Sequence, residues 1–197
     1  MMNKTQKFQI LFDSVAEIIE MPDSDKMLCY EYFEPVSFAS NTILEKRGKI
    51  PKYQYFVVSG ILRNYHFNEL REEITTDLNN SPRFFTSYTN FVSRQISQEW
   101  IETVTDCELL RVSRDDVDIL FEKSIILKDY TIKLLERVFF EERNRINEFQ
   151  ILTTEERYLK FAKENSNIIE NVPLKHIASF LGMKPETLSR IRRKIVS

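Results

Sequence analysis

The sequence is poor in the residues on which several common functional classes depend. Of its 197 residues only three are glycine, namely Gly48, Gly60 and Gly182, so no glycine-rich loop is available to hold a nucleotide phosphate. Only His66 and His176 are histidine, which is too few for a metal site built from several imidazoles. We therefore expect neither a bound metal nor another cofactor.

Cysteine and long apolar stretches are also scarce. Cys29 and Cys107 form no CxxC pair, so two buried free thiols are expected rather than a disulfide or a thiolate cluster. No stretch approaches the roughly 20 apolar residues that a membrane helix needs. Acidic residues interrupt the apolar N-terminal segment, which is therefore not a signal peptide. These features indicate a soluble, cytoplasmic protein without membrane contact.

The basic residues are concentrated towards the C-terminus. The formal net charge of the chain is only −2. Residues 171–197, however, contain a single acidic residue, Glu186, against six basic ones: Lys175, Lys184, Arg190, Arg192, Arg193 and Lys194. Such an uneven distribution is typical of a DNA-binding module, although a charged tail is often simply solvated.

The residue pattern changes twice along the chain. Residues 4–32 carry apolar side chains at three- and four-residue spacing, which predicts helix. Residues 33–114 contain short runs of β-branched and aromatic residues, separated by breaks that contain glycine, proline or asparagine. Several short strands at this spacing predict a compact antiparallel barrel or sandwich.

A long helix is predicted from residue 115 to about residue 149, where glycine and proline are absent. One apolar seam consists of Ile132, Leu135, Phe139, Ile146 and Phe149, and a second stripe of Leu127, Thr131, Leu134 and Val138. One stripe can pack on the β-domain, and a parallel helix of a second copy across a twofold axis would cover the other. The alternative is that both stripes lie in the core of a single chain.

A further helix is predicted to begin after Thr153. Thr153 and Glu156 have the spacing of a capping box, in which each side chain bonds the backbone of the other residue. The apolar residues Tyr158, Leu159 and Phe161 follow. Residues 164–171 are predicted to be a polar linker.

Residues 174–193 have the pattern of a helix-turn-helix. Ala178 is the small residue where the two helices cross, and Gly182 supplies the left-handed turn. Pro185 stands where a second helix would begin, at a position that proline tolerates. Five apolar residues would hold the helices together: Ile177, Leu181, Met183, Leu188 and Ile191.

The second helix of this motif has two different faces. Leu188, Ile191 and Ile195 are predicted to point inward. The opposite face would place its side chains in a DNA major groove. There a carboxylate can accept a hydrogen bond from cytosine, and an arginine can donate two hydrogen bonds to guanine. This face carries Glu186, Ser189, Arg190 and Arg193, with Thr187 beside them. Lys184, Arg192 and Lys194 are better placed for phosphates. The alternative is a plain helical hairpin with a solvated basic face.

Three segments resemble the CRP/FNR family of bacterial transcription regulators. The segment PETLSR, residues 185–190, resembles the opening of the family's recognition helix, which implies base-reading roles for Glu186, Ser189 and Arg190. Residues 53–63 resemble the strand–turn–strand core of its cyclic-nucleotide-binding β-roll. Residues 105–120 are similar to the last strand of that roll and the start of the dimerisation helix. The chain ends soon after the recognition helix, so a full C-terminal wing is not expected.

The resemblance implies an α+β architecture with three parts. Residues 1–114 would form an antiparallel, jelly-roll-like β-roll with flanking helices that serves as a sensor. Residues 115–150 would form the dimerisation helix, and residues 151–197 a helix-turn-helix domain whose wing is truncated. The expected function is regulation of transcription by a homodimer bound to palindromic double-stranded DNA. RNA polymerase is a candidate further partner.

The sequence departs from the family where members bind cyclic nucleotide. Those members carry a Gly-Glu pair that binds the ribose and an arginine that binds the phosphate. In this sequence the place of the pair falls near Thr86 and Ser87, and that of the arginine near Ser97. A buried phosphate diester without a compensating charge is costly, and Arg83 or Arg94 would serve only if a loop shifted. We therefore do not expect cyclic AMP to be the effector, and two cysteines are too few for the family's iron–sulfur sensors.

Two rival functions follow from the same residues. One is a small-molecule-binding sensor whose DNA module is not functional. In that case the aromatic residues Phe84, Phe85, Tyr88, Phe91 and Trp100 could line a pocket, although we expect them to fill the roll interior. The other is a cupin-like enzyme, which the shortage of histidine disfavours. We therefore expect no enzymatic activity.

Overall fold

A computed structural model describes residues 2–80 and 82–196 of the chain. The helices are α1 (Lys4–Ala16), α2 (Asp23–Tyr32), α3 (Tyr88–Ser93), α4 (Arg114–Lys123), α5 (Ile125–Ile151), α6 (Thr154–Glu164), α7 (Ser166–Asn171), α8 (Leu174–Phe180) and α9 (Pro185–Val196). The strands are β1 (Glu34–Phe38), β2 (Ile43–Glu45), β3 (Tyr53–Ser59), β4 (Leu62–Phe67), β5 (Glu73–Leu78), β6 (Arg83–Phe85), β7 (Trp100–Thr103) and β8 (Cys107–Ser113).

The strands form two antiparallel sheets that face each other. The first has the order β1-β8-β3-β6 and the second the order β2-β7-β4-β5. Their facing sides bury a small apolar core, to which Tyr55, Val57 and Leu109 contribute from the first sheet and Leu62 and Ile101 from the second. The predicted β-roll is confirmed, and its interior is filled by side chains.

The turn between β3 and β4 depends on Gly60. Its φ is +94°, and a β-carbon at this position would lie 2.4 Å from the backbone oxygen of Asp106 and 2.6 Å from Sγ of Cys107. A side chain cannot fit in this space, so only glycine allows the hairpin to approach the start of β8.

The outer face of the first sheet is covered by helices. Phe56, Val58 and Val112 pack there against α1, α2, α4 and α5 in the largest apolar cluster of the protein. Strand β3 is therefore buried on both faces, which explains why it is hydrophobic without alternation. The predicted N-terminal helical region consists of two helices: α1 ends at Ala16, and the extended Pro22 precedes the start of α2.

The helical segment that starts near residue 115 is interrupted, whereas a single helix was predicted. Ser124 is extended between α4 and α5, and its hydroxyl accepts a hydrogen bond of 3.0 Å from the backbone N–H of Leu127. This cap lets Leu120 of α4 and Tyr130 of α5 reach the same apolar layer. None of the helices in the part of the chain that the structure describes is both long and apolar enough to cross a membrane.

The C-terminal module consists of α6, α7, α8 and α9. The capping box of Thr153 and Glu156 is confirmed. The prediction of a polar linker at residues 164–171 was wrong, because residues 166–171 form helix α7, whose Ile168 is fully buried. The core of this module also takes in Ile61 and Leu78 of the roll, so the module packs directly against the β-domain.

Candidate nucleic-acid interface

Helices α8 and α9 are joined by the predicted tight turn. Gly182 has a φ of +66°, and the backbone N–H of Met183 donates a hydrogen bond of 2.9 Å to the carbonyl of Ala178. Ala178 is completely buried where the helices approach each other. The helix-turn-helix geometry predicted from Ala178, Gly182 and Pro185 is therefore present.

One face of α9 holds the helix on the module. Leu188 and Ile191 are buried in its core together with Tyr158 and Ile177. The prediction for Ile195 was wrong, because this side chain is 47% exposed. It lies one turn beyond Ile191, which is buried.

The other face of α9 is exposed and carries the predicted base-reading residues. Glu186, Arg190 and Arg193 are exposed, whereas Thr187 and Ser189 are half-buried. Within residues 2–80 and 82–196, the side chains of Glu186, Arg190 and Arg193 form no hydrogen bond or ion pair. Their charged groups are therefore not committed to internal contacts.

The three residues predicted to contact phosphates differ in their surroundings. Lys184 lies just before α9, where its carbonyl accepts from the backbone N–H of Leu188 at 3.2 Å, and its side chain is exposed. Arg192 is exposed as well. Lys194 forms an ion pair of 2.9 Å with Glu155 of α6, so it also ties α9 to the module.

Helix α8 is anchored to the roll by a buried arginine. Arg63 of β4 is 2% exposed and forms ion pairs with Glu73 at 2.8 Å and Glu102 at 2.6 Å. Its Nη1 donates a hydrogen bond of 2.5 Å to Nδ1 of His176 in α8. Because an arginine only donates, Nδ1 of His176 accepts and the imidazole is neutral.

Other contacts reinforce the same junction. The backbone N–H of Thr75 in β5 donates to the Ser179 hydroxyl at 2.9 Å. Arg145 of α5 donates to the carbonyl of Thr76 at 3.1 Å and lies over the ring of Phe180. The position of the helix-turn-helix is thus set by the roll and by α5 together.

The sequence did not reveal the residues of this junction. Arg63 stands in a strand that is otherwise buried, and a charged residue at such a position was the one available signal. His176 was placed in the helix-turn-helix without a role. Its pKa falls from 6.5 to about 4, chiefly because of burial and secondly because of the neighbouring Arg63 charge.

Acidic and neutral groups occupy the place that the family resemblance assigned to a nucleotide phosphate. Ser87 donates a hydrogen bond of 2.5 Å to Glu99, and the backbone N–H of Glu99 donates to the Ser97 hydroxyl at 3.0 Å. Asn64 also donates to the Glu99 carboxylate, at 2.9 Å. The cluster is therefore built around a negative charge.

The two arginines closest to this place in sequence have other partners. Arg83 forms an ion pair of 2.6 Å with Asp77. Arg94 pairs with Asp115 at 2.7 Å and Asp118 at 2.9 Å. Neither guanidinium is available to the cluster around Glu99 in this arrangement.

The aromatic residues predicted to fill the roll interior do not form one cluster. Phe85 lies inside the roll, whereas Phe84 and Phe91 pack in the helical layer outside it. Trp100 stacks on Tyr65 with 5.6 Å between the ring centres. Tyr88, on the short helix α3, is 37% exposed. The prediction was thus wrong for all but Phe85.

Both cysteines are buried free thiols, as predicted. Burial raises the pKa of Cys29 to about 12 and that of Cys107 to about 11, so neither is a reactive thiolate at neutral pH. Across residues 2–80 and 82–196, no group of three or more His, Cys, Asp or Glu side chains is arranged to hold a metal ion.

Comparison with known proteins agrees with this architecture. Residues 35–124 match the model of the cyclic nucleotide-binding domain. No curated protein matches the chain in sequence. Among solved structures, the chain is similar to the c-di-GMP-responsive global regulator CLP of Xanthomonas campestris, with a TM-score of 0.67 and 18% identity over 88% of this chain and 91% of that one.

Two further solved structures share the fold. FixK2 of Bradyrhizobium japonicum has a TM-score of 0.68 and 16% identity over 83% of this chain and 84% of its own. The catabolite activator protein of Thermus thermophilus has a TM-score of 0.55 and 19% identity over 89% and 84%. Residues 35–124 thus form a cyclic nucleotide-binding domain, and the chain has the fold of the CRP/FNR family of transcription regulators.

Proposed function

We propose that this protein regulates transcription by binding palindromic DNA as a homodimer. The observation that carries the proposal is the exposed face of α9, where Glu186, Arg190 and Arg193 have no partner among the described residues. On this basis Glu186, Ser189 and Arg190 read base edges. Arg193 and Thr187 lie beside them.

Phosphate contacts come from residues at the two ends of α9. Lys184 precedes the helix, and Arg192 and Lys194 lie in its last turns. For Lys194 this requires the ion pair with Glu155 to open or to be shared with a phosphate. Contacts of this kind fix the register of the protein on DNA but carry no sequence information.

Dimerisation is supported by the exposed seam of α5. Ile132, Phe139 and Ile146 are 50%, 63% and 47% exposed, although they lie on one helical face. A second copy of α5 across a twofold axis would cover them, as in a coiled coil. Two recognition helices about 34–36 Å apart would then face successive major grooves, which implies a palindromic operator.

Control by cyclic AMP is not part of the proposed function. A phosphate diester placed near Ser87 and Ser97 would meet the Glu99 carboxylate, while Arg83 and Arg94 stay paired elsewhere. An anion buried beside a carboxylate without a cation is strongly disfavoured. We assign the protein no cofactor and no catalytic activity. It would act in the cytoplasm, with RNA polymerase as a candidate partner.

Selection of bound duplexes from a random DNA pool tests this function, followed by a salt titration of the selected sequence. A palindromic consensus whose affinity falls steeply with salt is the expected result, because several Lys and Arg residues displace counterions from phosphates. A triple variant with Glu186, Arg190 and Arg193 changed to Ala is the matched control, since these side chains make no internal contacts. Enrichment of the same sequence by that variant would contradict the assignment to α9.

A small-molecule sensor without DNA binding is the second candidate. It is favoured by the docking of α8 on the roll, which holds the DNA module against the sensor domain. The selection separates the two candidates, because a protein of this second kind would enrich no sequence under any salt condition.

A further inference from the structure

A cavity of about 450 Å³ lies outside the roll, between the first sheet and the helices that cover it. The sheet contributes Gln54, Phe84 and Val112, and the helices contribute apolar side chains that include Val15 and Leu134. The volume is within the range of small-molecule sites, about 300–1,000 Å³. The interior of the roll is packed with side chains. The lining of this cavity includes Thr86, so the cavity lies next to the place that the family resemblance assigns to a nucleotide phosphate.

Three polar side chains line this cavity without a protein partner. Tyr130 of α5 is only 5% exposed, yet its hydroxyl forms no hydrogen bond with any residue that the structure describes. The side chains of Gln54 and Ser14 are half-buried, and they too form no hydrogen bond with any described residue. The polar atoms of these three side chains are therefore available to a ligand that enters the cavity.

Both arginines that line the cavity are paired with carboxylates. Arg83 is paired with Asp77 at 2.6 Å, and Arg137 with Glu141 at 3.1 Å. Glu17 is the fifth charged residue of the lining, and it is acidic. An anionic ligand would therefore find no uncommitted cation here. The Tyr130 hydroxyl keeps its proton, because burial raises its pKa to about 12, and is thus available as a donor.

We propose that this cavity binds an uncharged, largely apolar small molecule that accepts a hydrogen bond from Tyr130. Helix α5 lines the cavity from Leu127 to Glu141 and also carries the exposed seam with Phe139. A ligand in the cavity would therefore contact the same helix that would join two copies of the chain, and could regulate their association. Only this regulatory consequence rests on the proposed function, whereas binding itself does not.

Fluorescence titration of the full chain with Nile red tests the site in the absence of DNA. The dye is uncharged and largely apolar, and it carries a ring carbonyl that can accept from Tyr130. Saturable binding at one site is expected. Tyr130→Phe removes one hydrogen bond and no volume, so it should weaken binding about 2- to 10-fold. Ser14→Trp should weaken binding more than tenfold, because it fills the cavity.

Two variants serve as controls. Tyr158→Phe makes the same change at a buried tyrosine in the C-terminal module, and Phe140→Ser removes an exposed ring from α5 outside the cavity. Both should leave the affinity for Nile red unchanged. If Phe140→Ser abolishes binding, or if Tyr130→Phe has no effect, the dye does not occupy the cavity as proposed and the assignment is overturned.

Competition distinguishes the chemistry of the ligand. Decanol should displace Nile red, whereas decanoate, an anion of equal chain length, should do so at least tenfold less effectively. Equal displacement would overturn the inference of an uncharged ligand. Since no DNA is present in these measurements, failure here leaves the function of α9 intact, and a failed DNA selection leaves the cavity assignment intact.

Discussion

Arg63 of strand β4 and His176 of helix α8 are joined by a hydrogen bond of 2.5 Å, although 113 positions separate them in sequence. The arginine is fully buried and shares its guanidinium with Glu73 and Glu102. The orientation of the helix-turn-helix therefore depends on a charged group inside the β-roll. A substitution at either residue of this contact should therefore affect the packing of the other residue.

The neutral state of His176 predicts a dependence of stability on pH. The pKa of this histidine is about 4 in the folded protein, below its ordinary value of 6.5. As the pH falls from 6.5 to about 4, the unfolded chain binds the proton more readily than the folded one, so stability is lost in this window and is fully present above it. Thermal unfolding between pH 4 and 8 measures the effect.

His176→Asn provides the comparison, since its side-chain oxygen can accept from Arg63 but does not titrate. We expect the variant to lose less stability than the unaltered protein over this window. His66→Asn is the matched control, because it removes the only other histidine. If both variants follow the pH dependence of the unaltered protein, the neutral state of His176 is not what stabilises the junction.

Loss of the Arg63 charge should destabilise the protein strongly. Arg63→Met would leave Glu102 partly buried without a cation and would deprive His176 of its donor. Breaking a buried ion pair in this way costs about 3–5 kcal/mol. Urea unfolding followed by circular dichroism measures the cost. Arg47→Met, at an exposed arginine that bonds only the neutral Gln98 and lies over the Trp100 ring, should cost no more than about 1 kcal/mol.

A double-variant comparison tests whether the two residues act together. Arg63→Met and His176→Leu should be less destabilising in combination than the sum of the single changes, because each of them removes the same hydrogen bond. Residues in direct contact usually show coupling of about 0.5–3 kcal/mol. Strict additivity would mean that His176 is held by its apolar neighbours alone.

Much of the fold could be predicted from local sequence. The helix-turn-helix was recognisable because Ala178, Gly182 and Pro185 each meet a steric requirement that few other residues satisfy. The strands followed from β-branched and aromatic runs, and the capping box at Thr153 marked the start of a helix. These features depend on neighbours within a few positions along the chain.

The errors arose where tertiary contacts decide the structure. Ser124 ends one helix and caps the next, yet neither glycine nor proline marks the position. Residues 166–171 look polar but are helical because Ile168 finds a place in the module core. The link from Arg63 to His176 and the cavity beside Tyr130 both bring together distant segments, for which a single sequence contains no local signal.

Base reading by α9 can be separated from phosphate contact. Arg190→Ala should cost about 1–3 kcal/mol on the selected operator and relax specificity at one base pair, since an arginine can bond guanine in two places. Lys184→Ala should weaken binding to all sequences alike and reduce the slope of the salt dependence by about one. Titrations against the operator and its single-base variants measure both. A uniform loss from Arg190→Ala would restrict that residue to phosphate contact.

The exposed seam of α5 predicts that a single polar substitution will disrupt the dimer. Phe139 is 63% exposed in one chain, and a second copy of α5 would bury it. Phe139→Glu would place two like charges near the twofold axis, so we expect a shift to monomer by at least tenfold in dissociation constant, measured by sedimentation equilibrium. Leu70→Glu changes an even more exposed apolar residue, in the turn between β4 and β5, and should leave the dimer intact. If the two variants behave alike, or the unaltered protein is monomeric, the seam has another role and paired recognition helices cannot explain binding to a palindrome.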